Sequence, residues 1–173
     1  MGEGVMTMAQ EQKPQPAAGE QIREQQTRED ANEVLNKCVS YAKKMLRRYG
    51  SFGPFGYRMN QDGQVALEVV AQHDMPPDPP MLLGLLESQL RERAQKGLLL
   101  AAATASNVTM DLPSKEGFTD AVMVDIEHQR GYCMRAYVPY RITGGQWYPV
   151  FPRVVRFGMM QAHEIDSRLF RQE

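Results

Sequence analysis

The sequence predicts an α+β fold: a meandering antiparallel sheet of about five or more strands, with two main helices packed on one face, in the order αββαβββ. Two segments, near residues 27–50 and 79–97, carry apolar residues at helical spacing. Two pairs of alternating segments are joined by short glycine-containing loops, which is typical of β-hairpins. The chain also lacks the GxGxxG and GxxxxGK[ST] motifs, so dinucleotide and P-loop functions lose their main support.

Length and charge restrict the class of protein. The 173 residues predict one domain, over residues 27–173. The formal net charge of -1 argues against binding nucleic acid or an anionic membrane through overall charge. Residues 1–26 are rich in Gln, Glu and Pro and contain no aromatic residue, so we expect them to form a disordered tail.

The first helix is predicted to begin at Thr27, which can cap it, with Asp30 three residues later as in a capping box. Acidic residues lie in its first turns and basic residues in its last. These charges oppose the helix dipole and therefore stabilise the helix. Four of those bases form a cluster, and we interpret it as a solvated face rather than a phosphate site. The four bases are Lys43, Lys44, Arg47 and Arg48. Gly50 follows them and is predicted to end the helix.

Two hairpins are predicted with defined registers. In the first, a three-residue loop ending at Gly63 pairs Met59 with Val65 and Tyr57 with Leu67, which places the apolar residues on one face. In the second, a loop ending at Gly131 joins 121–127 to 132–140. Its register pairs Val122, Val124 and Ile126 with Val138, Ala136 and Met134, and pairs Asp125 with Arg135 and Glu127 with Cys133.

The remaining elements are read from turn residues and side-chain size. Asp78 and Pro79 predict the start of the second helix, and Gly97 its end. The alanine-rich strand at 98–110 is expected to be central, because small side chains let a helix lie close. One or two edge strands are predicted within 147–157, where prolines disfavour a central position. A short terminal helix is predicted at 162–170.

Cysteines, metal ligands and membrane signals are all sparse. Cys38 and Cys133 are predicted to be separate thiols rather than a disulfide. Because no CxxC or HxxxH spacing occurs, we expect no metal site and no cofactor. No 18-residue apolar run and no apolar signal region are present, so a membrane span is not expected and the cytoplasm is the predicted location.

One acid and histidine cluster is a candidate for catalysis. Strand alternation places Asp125 and Glu127 on one face, near Arg135, with His128 next in sequence. Two neighbouring carboxylates could perform acid–base chemistry. The competing interpretation is a polar outer sheet face with a cross-strand ion pair worth less than about 1 kcal/mol. We favour the second, because a hairpin tip does not exclude water well.

The feature that points most to function is a stretch without acids. From His128 to His163 the chain has no Asp or Glu, but has five arginines and seven aromatic residues. Arg, Tyr and Trp dominate the energetics of protein interfaces. A sheet edge flanked by such residues could accept an acidic partner segment or pair with a second copy of itself. The candidate binding residues are Arg141, Trp147, Tyr148, Phe151, Arg153 and Arg156.

Several short motifs resemble those of a set of small bacterial proteins of unassigned function. The resemblance covers roughly residues 35–142, and implies a compact single domain from a bacterium without bringing any catalytic residue. The motifs are Tyr49-Gly50-Ser51-Phe52-Gly53-Pro54-Phe55-Gly56, Asp62-Gly63, Asn107-Val108, Asp120-Ala121, Ile126-Glu127-His128, Gly131 and Val138-Pro139-Tyr140.

Three functions remain open at this point. The favoured one is a non-catalytic protein-interaction module, of the accessory, chaperone-like or immunity type, that uses the Arg/aromatic stretch. The second is a small enzyme that uses Asp125, Glu127 and His128. The third is a single-strand nucleic-acid binder that uses tyrosines and arginines on a sheet.

Overall fold

The fold consists of two helices and seven strands in the part of the chain that the computed structural model describes, residues 17–70, 78–110, 116–145 and 150–171. Their bounds, in chain order, are α1 Ala18–Tyr49, β1 Phe55–Asn60, β2 Val65–Glu68, α2 Pro79–Gln95, β3 Leu99–Thr109, β4 Asp120–His128, β5 Cys133–Thr143, β6 Val154–Phe157 and β7 Gln161–Glu164.

The strands form one open antiparallel sheet in the order β2-β1-β3-β4-β5-β6. β7 also pairs with β5, so β6 and β7 follow one another along the outer side of that strand. The predicted α+β class with a meandering antiparallel sheet is therefore confirmed. The alanine-rich strand β3 lies centrally, between β1 and β4.

Both hairpin registers agree with the sequence prediction. β4 and β5 pair Val124 with Ala136 and Asp125 with Arg135, and β1 and β2 pair Met59 with Val65. Gly63 and Gly131 have φ angles of 82° and 84°, the left-handed conformation that closes a three-residue loop.

The position of α2 differs from the prediction, because the two helices lie on opposite faces of the sheet. α1 packs on the face that contains Ala101, Ala103 and Ala105. The alternate face of β3, represented by Ala102, packs against Leu86 and Leu90 of α2 and against Leu169. Small residues on both sides of β3 allow both helices to approach it, whereas sequence reasoning placed them on a single face.

α1 begins at Ala18, before the predicted cap at Thr27. Thr27 is instead buried inside the helix, where its hydroxyl donates a hydrogen bond to the carbonyl of Arg23 at 2.8 Å. A threonine hydroxyl can satisfy itself within a helix in this way, so a capping residue type does not by itself mark a helix start. Of the predicted tail, residues 18–26 are helical, and residues 1–16 lie outside the described part.

The other helix ends follow the predicted residues. α1 stops at Gly50, which has a φ of 78° and donates its backbone N–H to the carbonyl of Leu46. α2 begins at Pro79, after Asp78 in the N-cap position, although the Asp78 side chain makes no capping hydrogen bond. Neither helix, nor any other within the described residues, is long and apolar enough to cross a membrane.

The predicted terminal helix at 162–170 is wrong. Residues 161–164 form β7, and residues 165–171, which we call the C-terminal strap, run irregularly across the α2 face of the sheet. The outer edge of β5 presents backbone groups that require partners. β7 pairs with them, and the backbone N–H of Ile165 continues the pairing to the carbonyl of Cys133 at 3.1 Å.

Candidate functional site

The acid and histidine cluster is divided between the two faces of β4. Asp125 and Glu127 point toward the α2 face, beneath the C-terminal strap, whereas His128 points toward α1. All three side chains are buried. The predicted solvent-exposed polar face is therefore wrong at this position, because the segment expected to form a separate helix covers it instead.

Glu127 anchors the C-terminal strap. Its carboxylate accepts hydrogen bonds from the Ser167 hydroxyl at 2.9 Å and from the backbone N–H groups of Arg168 and Leu169 at 2.9 Å each. Its side chain is 1% exposed, so these bonds replace the water that a buried carboxylate loses. Glu127 is thus occupied as a structural acceptor.

Asp125 is held by two arginines. Arg135 donates to it from Nε at 2.6 Å and from Nη2 at 2.7 Å, in the two-pronged geometry that strengthens an ion pair. Arg168 of the strap contacts the second carboxylate oxygen and also lies 3.0 Å from Glu87 of α2. The predicted Asp125–Arg135 pair is present, but it belongs to a partly buried network that joins β4, β5, α2 and the strap.

His128 forms a separate buried pair with α1. Its Nδ1 accepts the backbone N–H of Arg130 at 3.1 Å, so Nε2 carries the proton and donates to Asp30 at 3.2 Å. Burial lowers the pKa of His128, and the bond to Asp30 opposes that shift only in part. The imidazole is 0% exposed and does not face the two carboxylates.

Neither thiol is an activated nucleophile. Burial raises the pKa of Cys38, and burial together with the Glu127 carboxylate raises the pKa of Cys133. A thiolate is the reactive form, so both groups are held in the unreactive state. Within the described ranges, no three His, Cys, Asp or Glu side chains gather closely enough to hold a metal ion.

The candidate binding residues that the structure describes divide into two groups. Arg141 and Arg156 stand directly opposite each other on β5 and β6 and share a face. Arg141 donates to the backbone carbonyl of Gly117 at 2.8 Å, and its guanidinium carbon lies 5.1 Å from the centre of the Phe118 ring. Arg156 is exposed. Trp147 and Tyr148 lie outside the described residues.

Arg153 lies on the other face, against the end of α1. Its Nη1 donates to the backbone carbonyl of Arg48 at 3.0 Å, and its side chain packs over Gly50. Phe151, two residues earlier, is 59% exposed. The structure therefore joins one arginine of the acid-free stretch to the C-terminal turns of α1.

This contact creates a basic groove with a volume of about 520 Å³. Arg153 lines it on one side, together with Pro152, and the exposed face of α1 lines it on the other. The described lining contains five cationic side chains and no acidic one. The residues that form this basic groove are Ser40, Lys43, Lys44, Arg47, Arg48, Pro152 and Arg153.

Sequence reasoning noticed the four α1 cations but assigned them to a solvated face. The available signal was their i, i+3, i+4 spacing, which places Lys43, Lys44 and Arg47 on one side of the helix. What the sequence could not supply was the tertiary contact with Arg153, which converts a helix face into one wall of a groove.

Comparison with known proteins gives no relative: no family model, no curated protein and no solved structure matches this chain.

Proposed function

We propose that this chain is a non-catalytic protein-interaction module that binds an acidic partner segment in the basic groove, and that it does so in a bacterial cytoplasm. The observation that carries the proposal is the clustering of five cations, without an acid among the described lining residues, in a chain whose net charge is only -1. Such separation of charge attracts an acidic partner to one place on the molecule.

The magnitudes require a partner with several carboxylates. A single exposed ion pair contributes at most about 1 kcal/mol, so one carboxylate gives little affinity. Binding several carboxylates at once adds these small terms and also speeds the encounter at low salt. The groove therefore favours a segment with closely spaced Asp or Glu residues.

A nucleic-acid ligand receives less support. Single-stranded nucleic acid is usually bound by cations together with aromatic rings on which bases stack. The described lining of the basic groove contains no aromatic ring. Arg141 already stacks on Phe118 and donates to backbone carbonyls, which leaves it less able to contact a phosphate.

An enzyme built on Asp125, Glu127 and His128 also receives little support. The two carboxylates are buried and bonded to Arg135 and to the C-terminal strap, and the imidazole lies on the opposite face. General acid–base catalysis needs groups within reach of one substrate atom. Here a substrate could reach the two carboxylates only after the strap had left the sheet, and the imidazole would still lie beneath α1.

The test uses a fluorescent peptide of alternating Glu and Thr, titrated with the full chain at about physiological ionic strength. A groove variant, Lys44→Glu/Arg47→Glu, reverses two exposed charges of the lining. A matched control, Lys96→Glu/Arg171→Glu, makes the same change in net charge at exposed positions elsewhere. The proposal predicts that the groove variant binds the peptide at least about tenfold more weakly, and that the control binds like wild type.

Two results would contradict the proposal. The first is equal loss of binding in both variants, since net charge alone would then explain the attraction. The second is no peptide binding by the wild-type chain, and tight, salt-dependent binding of a single-stranded oligonucleotide would then assign the groove to nucleic acid.

A further inference from the structure

We propose that the acidic segment binds in an extended conformation, as an additional strand on the outer edge of β6, with its carboxylates facing the basic groove. This inference rests on the proposed function and specifies how the partner is held. Addition of a strand to an open sheet edge provides backbone hydrogen bonds, and side chains on alternate residues provide specificity.

Among the described strands, β6 forms the outer edge of the sheet at this end. β6 pairs with β5 on one side, and no other described strand pairs with it on the outer side. The backbone N–H of Gly158 donates to the carbonyl of Pro139 at 2.8 Å, which fixes the alternation of the ladder. In an antiparallel pair, Val154 and Arg156 then bond to β5, whereas Val155 and Phe157 direct their N–H and C=O groups outward.

The basic side chains run beside this edge. At one end, the Lys43 ammonium lies 5.9 Å from the centre of the Phe157 ring, and at the other, Arg153 contacts the Arg48 carbonyl. α1 therefore runs antiparallel to β6 with its cations along one side. In an added strand, every second side chain would point toward α1, so alternating carboxylates would all meet this row.

A second copy of the chain is a poorer occupant of the same edge. Pairing two β6 edges would add Arg153 and Arg156 of a second copy to an edge that already carries the same two cations, and like charges brought close together oppose association. An acidic strand has the complementary charge instead. This difference leads us to assign the edge to a partner segment rather than to self-association.

The test compares three peptides of alternating Glu and Thr, one unmodified, one N-methylated on the Glu residues and one N-methylated on the Thr residues. Methylation removes an amide donor without changing charge. In an added strand, either the Glu amides or the Thr amides face β6, but not both. The peptide methylated on the amides that face β6 is therefore expected to bind the full chain at least about tenfold more weakly than the unmodified peptide. The other is expected to bind within about twofold. Loss with methylated Glu indicates an antiparallel added strand, and loss with methylated Thr a parallel one.

The outcomes separate this inference from the proposed function. If all three peptides bind equally and the Lys44→Glu/Arg47→Glu variant binds none, the basic groove is the site but strand addition is wrong. Equal weakening by both methylated peptides also overturns strand addition. If the unmodified peptide does not bind, both proposals fail. A dimer of the free chain that dissociates when Val154→Lys adds charge at the edge would assign the edge to a second copy, and overturn the acidic-segment assignment.

Discussion

At the scale of single residues, His128 links the stability of the fold to pH. The imidazole is fully buried between β4 and α1, with Asp30 and Arg130 as its bonded neighbours. Its Nδ1 accepts a backbone N–H, so protonation would break that bond as well as place a charge in the interior. Burial lowers the pKa of His128 below its ordinary value of about 6.5.

We predict that the His128 contribution to stability is complete above about pH 6.5 and is lost as the pH falls from there through the lowered folded-state pKa. In that window the unfolded chain binds a proton that the folded chain does not. Urea unfolding at a series of pH values checks this. His128→Gln should flatten the decline, whereas the exposed control His163→Gln should retain it. An equally steep decline in His128→Gln would show that other groups cause it.

Gly56 marks the place where β1 lies in close contact with β3 and with α2. A Cβ atom at this position would lie 2.6 Å from the backbone oxygen of Ala103 and 3.5 Å from Leu86 of α2. Backbone cannot move aside as a flexible side chain can. Gly56 is therefore required by the approach of β3 and α2 rather than by a left-handed conformation.

Gly56→Ala is predicted to destabilise the fold by about 1–3 kcal/mol because of this overlap. The control is Gly84→Ala in α2, where an added Cβ has no atom within 4 Å. That change should stabilise the fold by about 0.5–1 kcal/mol through helix propensity. Denaturant unfolding measures the stability of both variants. If Gly56→Ala leaves the stability unchanged, β1 and β3 separate easily and the predicted overlap is wrong.

At the scale of elements, the C-terminal strap closes the second core. Leu169 packs with Leu86 and Leu90 of α2 and with Leu99 and Ala102 of β3. Next to it, the backbone N–H groups of the strap bond to the Glu127 carboxylate. The strap thus buries an apolar side chain and also supplies hydrogen bonds to the buried Glu127 carboxylate.

Leu169→Ala is expected to cost about 2–5 kcal/mol, the usual range for truncating a buried leucine. Leu85→Ala on the exposed side of α2 makes the same chemical change and should cost under about 1 kcal/mol. Thermal or urea unfolding distinguishes them. Equal and small effects would show that the strap does not belong to the core.

The elements that sequence could predict are those fixed by local rules. The β4–β5 register follows from a left-handed Gly131 and from Asp125 facing Arg135, both visible within a few residues. The face on which α2 packs depends on Ala102 and Leu169, which are distant in sequence, so local patterns did not determine it. The start of α1 was misplaced because Thr27 has the residue type of a cap but bonds within the helix.

At the scale of the whole molecule, charge is separated although the net charge is near zero. The Asp125 carboxylate of β4 is neutralised internally by Arg135 and Arg168, whereas the cations of the basic groove lack an acid among the described lining residues. Sequence reasoning identified Arg153 as a binding residue and attributed the α1 cations to solvation. The groove depends on the contact between these two regions, which neither local pattern contains.

Amide hydrogen exchange at β6, followed by NMR with and without the Glu/Thr peptide, reports directly on whether an acidic segment adds to this edge. In the free chain, Val155 and Phe157 should exchange faster than Val154 and Arg156, whose amides bond to β5. Peptide binding should slow Val155 and Phe157 by at least about tenfold and leave Val154 and Arg156 unchanged. Unchanged exchange at Val155 and Phe157 in a peptide-saturated sample would contradict the addition of an acidic strand at β6.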